Sequence, residues 1–330
     1  MHLRSAGAVG LLLLSLTLAA CGESGSSGTN ETSKTAAGAG TKCEPVAGEQ
    51  LVVLQDDKKL QTVDNVIPAI NAKAATPALI AALDKVSAAL TTDKLIALNK
   101  KTDIERQTPP NVAKEFATSE GLTQGVSGGS GKVIVGAFNF SESQTLANLY
   151  VQTLDAAGFD ASVKTVGNRE LLEPALEKND VQVVPEYAGT LTEFINKAEN
   201  GANAQAKASG DLDATVKALT ELGAQVGLKF GKPSQAADQN AFAVTKGFAD
   251  QHDVSTLSEL DSKCGGGLSL GGPPECPQRP FCKPGLEEKY GLTFTEFQSL
   301  DAGGPLSKTA LKQGKVAMVL VFSSDAALAG

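Results

Sequence analysis

The 330-residue chain has no tryptophan, three tyrosines and two histidines. His2 falls in the apolar leader, so His252, in "DQHDVSTLSEL", is the single imidazole left, read here at an exposed helix start. A Ser/His/Asp triad has little to build on. No two cysteines are spaced C-x-x-C, which argues against a zinc site, and no cofactor is implied. No basic stripe accompanies the net charge of −8, because acidic and basic residues are interspersed, and this argues against nucleic acid as a partner. No repeat of 20–50 residues is visible, so a solenoid is not expected.

What is present begins with the leader. His2 and Arg4 precede an apolar run from Val9 to Ala20, too short to cross a bilayer comfortably and read as a signal peptide over residues 1–20. It ends in "LAAC", which resembles a bacterial lipobox and implies lipidation of Cys21. Acyl chains there would anchor the protein to the outer face of the bacterial cell membrane, with residues 21–42, rich in Gly, Ser and Thr, as a flexible tether. Four further cysteines, an even number in an exported chain, suggest two disulfides. Three pairings are open; the short spacing of Cys276 and Cys282 permits a local closure, which leaves Cys43 with Cys264.

Length sets the organisation. A chain of 330 residues is too long for one compact core, so two lobes are expected. "EQLVVLQDDKK" reads as a strand, and "TPALIAALDKVSAAL", "TTDKLIALNKK" and "TPPNVAKEFATSEGL" as helices with Thr, Pro or Asp at their starts. A Gly/Ser linker, residues 123–131, follows. From Lys132 the pattern alternates: strand "KVIVGAF", helix "SESQTLANLYVQTLDAAG", strand "DASVKTV", helix "NRELLEPALEKND", strand "VQVVPEY". That order implies a parallel α/β sheet with its binding residues at strand C-terminal ends, near Phe138 to Ser141 and Glu186 to Thr190. Two apparent enzyme motifs are decoys. "GVSGG" around Ser127 has the spacing of a hydrolase elbow, but a helix precedes it and a strand follows. "GGSGKV" around Lys132 has Val133 where a phosphate loop needs Ser or Thr.

Three stretches, "GAFNFSESQTLANLYVQTLDAAGF", "GNRELLEPALEKNDVQVVPEYAGTL" and "PPECPQRPFCKPGLEEKYGL", resemble the substrate-binding proteins of osmoprotectant ABC importers, which serve glycine betaine, choline and carnitine. In that family "LVVLEDD" and its helices come last, whereas here "LVVLQDD" comes first, so the chain resembles a circular permutant joined through "TQGVSGGSG". The resemblance implies a two-lobed type II periplasmic-binding-protein fold with a ligand cleft between the lobes. Residues 43–122 and 132–235 would form one lobe and residues 236–330 the other. It also implies a monomer that is not an enzyme and that delivers a small-molecule ligand to an ABC permease and its ATPase. A solute sensor of the same fold, taking a non-quaternary ligand such as ergothioneine or a polyphenol, is the alternative; a serine hydrolase is the weaker one.

The same resemblance nominates site residues. A quaternary ammonium cannot donate a hydrogen bond and is held by aromatic faces. Tyr187 in "PEYAGT" and Phe322 in "VFSSD" match two positions of the family cage, with Thr190 beside them. Asn240 and Asp64 stand where relatives carry two further tyrosines, and Phe138 replaces a lysine. With Asn65, Asn139, Ser141, Ser324 and Asp325 the pocket is partly re-lined with polar groups, which points to a ligand with more hydrogen-bonding groups than betaine. Arg279, in the loop matching the family's "ERP", would pair a ligand carboxylate.

Overall fold

The computed structural model describes residues 43–265 and 267–328. The proposed signal peptide, Cys21 and the tether lie outside them.

Two five-stranded mixed sheets organise the chain. The first has the order β4-β3-β5-β2-β6, where β2 is Val66–Asn71, β3 Lys132–Ala137, β4 Asp160–Thr165, β5 Val183–Tyr187 and β6 Leu228–Phe230. Strand β3 runs parallel to β4 and β5, while β2 is antiparallel to β5 and β6. The second has the order β1-β7-β10-β8-β9, where β1 is Leu51–Leu54, β7 Asn240–Thr245, β8 Leu268–Gly272, β9 Phe294–Ser299 and β10 Met318–Phe322. Again three strands are parallel neighbours (β10, β8, β9) and two are antiparallel (β1, β7). Each sheet has its own buried apolar core, so each is a lobe.

Local chemistry explains the elements around the site. Helix α1 (Pro77–Ala89) starts where Thr76 accepts a hydrogen bond from the Leu79 amide and Pro77 opens the first turn. Helices α2 (Thr92–Asn99) and α3 (Pro109–Ser119) follow, and α4 (Ser141–Ala157) runs back along the first sheet until Gly158, at φ 107°, stops it. Helix α5 (Arg169–Glu177) and α6 (Ala188–Asn200) start directly after β4 and β5, so their first turns face the same cleft edge as the strand ends.

The structure departs from the sequence reading in three places. Strand β1 pairs antiparallel with β7, and Cys43, Leu54 and Leu60 lie in the second lobe's core, so only residues from β2 onward join the first lobe. Residues 55–65 are therefore a crossing between lobes, as are residues 231–239. Strand β2 itself was not anticipated. It is buried along its whole length, yet Pro68 sits mid-strand opposite Pro185, and proline argues against a central strand when only sequence is available. His252 ends helix α8 (Lys246–His252) and is half-buried against Phe248, rather than opening an exposed helix.

Cys43 is bonded to Cys264 and Cys276 to Cys282. The first bridge ties the chain's described start to helix α9 (Leu257–Cys264) of the second lobe. No described helix is long and apolar enough to cross a membrane.

The glycine of "PEYAGT" has a steric reason. A Cβ on Gly189 would collide with the Val63 carbonyl and the Thr62 hydroxyl, both on the 55–65 crossing. Gly189→Ala should therefore cost about 1–3 kcal/mol of stability in urea unfolding, the usual penalty for overpacking. An unchanged midpoint would show that the crossing can yield.

Candidate ligand-binding site

Between the lobes lies a cavity of about 360 Å³. Eight of the nominated residues line it: Asp64, Phe138, Asn139, Tyr187, Thr190, Asn240, Arg279 and Phe322. Ser141, Ser324 and Asp325 line instead a second cavity of about 460 Å³, which shares Asn139 and Phe322 with the first. Asn65 lines neither; its amide holds the Ser234 carbonyl at 2.9 Å and so braces the two crossings against each other.

Aromatic rings dominate one wall. Phe140 stacks on Phe138 (centroids 5.8 Å apart), on Phe322 (5.9 Å) and on Tyr187 (6.5 Å), each within 28° of parallel. Phe138 has a cation on its ring as well, the Arg169 guanidinium 5.1 Å from its centroid. That guanidinium is locked to the Glu186 carboxylate, with Nη2 to Oε2 at 2.8 Å and Nε to Oε1 at 2.9 Å, and both side chains are buried. Breaking a buried pair of this kind by removing one partner typically costs 3–5 kcal/mol.

Below the rings sits a buried polar network. Glu142, in the first turn of α4, accepts from the Tyr187 hydroxyl (2.6 Å), the Asn99 amide (2.5 Å) and the Ser324 hydroxyl (2.7 Å). The helix N-terminus favours its charge. Burial nevertheless pushes its pKa above the usual carboxylate range, against the pull of those hydrogen bonds. Asp238, on the 231–239 crossing, is pushed well up by burial and by the Glu142 charge, and it accepts from the Ser324 amide at 3.0 Å. The two carboxyls thus favour keeping a proton between them.

Several nominated groups already have partners. Asp64 accepts from the Thr190 amide (2.9 Å) and the Thr190 hydroxyl, capping α6 from outside. Arg279 of the second lobe reaches Glu170 of the first (3.0 Å) and Glu275 beside it (3.3 Å), so its guanidinium bridges the lobes. The Asn240 amide holds the Phe281 carbonyl at 3.0 Å, the Ser141 hydroxyl donates to Asp103 at 2.5 Å, and Asp325 pairs with Lys308 at 2.5 Å. The donor groups of Cys43, Cys264 and His252 lie within 4.8 Å of one another, but the two sulfurs are bonded to each other.

Sequence reasoning takes in Phe140 only as part of the stretch Phe138 to Ser141 and misses Glu142, Arg169 and Asp238. Phe140 and Glu142 are inside the quoted "NFSE", and Arg169 follows the turn before "ELL"; the signal was in the motifs, as their less conspicuous letters. Asp238 has no sequence signal.

The two lobes, the double crossing and the aromatic-walled cavity between them define a solute-binding protein of periplasmic-binding-protein architecture. Residues 45–119 and 131–330 match the family OpuAC, the substrate binding domain of ABC-type glycine betaine transport systems, and the chain belongs to it. Over 204 residues it is 26% identical to the glycine-betaine-binding protein of Pseudomonas aeruginosa, a match covering 59% of this chain and 62% of that relative. It thus spans about three-fifths of the length of that relative. It is also similar to a solved structure titled as a glycine betaine/carnitine/choline ABC transporter: 21% identity, TM-score 0.39, covering 58% of this chain and 68% of that one.

The pH dependence of folding offers a test of the capping carboxylate. Burial raises the Asp64 pKa from 3.8 to about 6, over the opposing pull of Thr190 and Arg169. The folded state therefore binds the extra proton. This contribution is present in full below pH 3.8 and is lost as pH rises through about 6. Asp64→Asn should match wild type near pH 4 and exceed it near pH 7.5 by on the order of 2–3 kcal/mol in urea unfolding. Parallel pH profiles for the two proteins would remove the argument.

Proposed function

We propose that this protein is an extracytoplasmic, lipid-anchored receptor that binds a methylated ammonium solute between its lobes and presents it to an ABC permease and its ATPase. The observation that carries this reading is the convergence of the Phe138, Tyr187 and Phe322 rings around Phe140 in the interlobe cavity. A cation without hydrogen-bond donors is held by such faces within about 6 Å, at roughly 0.5–2 kcal/mol per ring once desolvated. Membership of a family of substrate-binding proteins supports the partner class. "LAAC" ending at Cys21 supports the anchor. The permuted chain order is supported by the stretch 120–130, which carries most of the Gly/Ser linker and separates the two matched blocks, 45–119 and 131–330.

Closure would follow from the double crossing, since residues 55–65 and 231–239 are the covalent links between two separately cored lobes. Ligand contact on both walls would favour the closed arrangement that Arg279 and Glu170 already bridge.

A thermal-shift panel of glycine betaine, choline, carnitine, proline, ergothioneine and aromatic polyols tests the ligand class. A solute at about 100 times its dissociation constant should add about 2.7 kcal/mol of stability. Tyr187→Ala should abolish the shift, while Tyr187→Phe, which keeps the ring and loses the bond to Glu142, should retain most of it. Silence from every quaternary amine would overturn the osmolyte reading. For the anchor, Cys21→Ser should move the protein from the membrane fraction to the soluble one, and unchanged partitioning would refute lipidation there.

A further inference from the structure

Two of the four rings in the cleft are tied through their side chains, and a third is carried on a paired strand. Phe138 is buried, with the clamped Arg169 guanidinium on its ring. Tyr187 is buried and held through its hydroxyl by Glu142. Phe322 ends β10, paired in register with Asn240 of β7. Phe140 differs. It is half-buried, has no polar handle, and occupies the extended position (φ −145°, ψ 156°) just before α4 begins. Its ring can therefore turn about its side-chain bonds without unwinding the helix.

Its place in the cleft is also distinctive. The Phe140 ring stacks on each of the other three, so it covers the aromatic faces that a methylated cation would need. Like Phe322, it lines both cavities, the one of about 360 Å³ and the one of about 460 Å³. The second cavity has room to receive a phenyl ring, and the wall between the two is formed in part by Phe140 itself.

We propose that Phe140 is an internal plug: it fills the cage formed by Phe138, Tyr187 and Phe322, and a ligand binds by displacing it toward the second cavity. This rests on the proposed function and adds to it a device that sets how tightly any solute is held. A neutral solute that pushes the ring aside exchanges one set of apolar contacts for another and gains little. A cation replaces ring–ring stacking with cation–π attraction on three faces, and so meets the cost of displacement. The plug also lowers apparent affinity, because only the fraction of molecules with the ring turned away is competent to bind.

The test is calorimetry with choline and with its uncharged carbon isostere, 3,3-dimethylbutan-1-ol, on wild type, Phe140→Ala and Phe322→Ala. For a plug, Phe140→Ala binds choline and the neutral isostere each about tenfold more tightly than wild type, with the preference for choline unchanged; Phe322→Ala, which removes a cage wall, binds choline more weakly and narrows that preference. If Phe140→Ala loses choline affinity as Phe322→Ala does, Phe140 is a wall and the proposal is overturned while the proposed function stands. If neither wild type nor Phe140→Ala binds any quaternary amine, both fall together. A measurement independent of that variant's folding uses 4-fluorophenylalanine at position 140: saturation with choline should move its fluorine resonance, and an unmoved line would overturn the displacement.

Discussion

The arrangement of the cleft depends on how a buried carboxyl group, that of Glu142, is satisfied. Taking it out of water is costly unless hydrogen bonds replace those to solvent. Its partners come from three distant parts of the chain: Asn99 at the end of α2, Tyr187 at the end of β5 and Ser324 after β10. Asn99 and Tyr187 belong to the first lobe and Ser324 to the second. Moving the lobes apart would strip Glu142 of Ser324 and Asp238 of the Ser324 amide. The same network fixes the tilt of the Tyr187 ring, so the polar floor of the site sets its aromatic wall.

Most of the framework was legible in sequence because the helices and parallel strands obey local rules. Thr76-Pro77 marks the start of α1, Gly158 the end of α4, and alternating apolar residues β3. What escaped was decided by partners far away in sequence. Strand β2 carries Pro68 at its middle, and only its antiparallel pairing with β5 and β6 makes it a strand. Strand β1 reads correctly as a strand, but its sheet is chosen by β7, nearly two hundred residues on. The site follows the same division. The aromatic positions could be matched to motifs, whereas the commitments of Asp64, Asn240 and Arg279 to protein partners are tertiary facts.

Chain order is compatible with this fold because the linker is well seated. Lys85 donates to the carbonyls of Gly121 and Gln124, the Gly129 amide donates to Ala157 at 2.8 Å, and Gly131 accepts from the Asp160 amide at 2.9 Å. Those last bonds lead directly into the β3–β4 ladder at Lys132 and Asp160. At the other end, the bridge from Cys43 to Cys264 holds the segment before β1 against the second lobe.

The charges in the cleft bear on which end of a ligand the site reads. Phe138 stands where the family resemblance leads one to expect a lysine, yet a cation has not left the neighbourhood, because the Arg169 guanidinium lies against the Phe138 ring. That cation is neutralised by Glu186, as Arg279 is by Glu170 and Glu275. Neither is free to meet a ligand carboxylate without first releasing a carboxylate of the protein, which for Arg169 means breaking a buried pair. The aromatic faces carry no such prior commitment beyond stacking, worth about 0.5–1.5 kcal/mol per pair. On the proposed function, recognition in this cleft would favour the positive, methylated end of a solute. A negative end adds affinity only where it displaces the Glu170 carboxylate from Arg279, the more exposed and more weakly held of the two pairs.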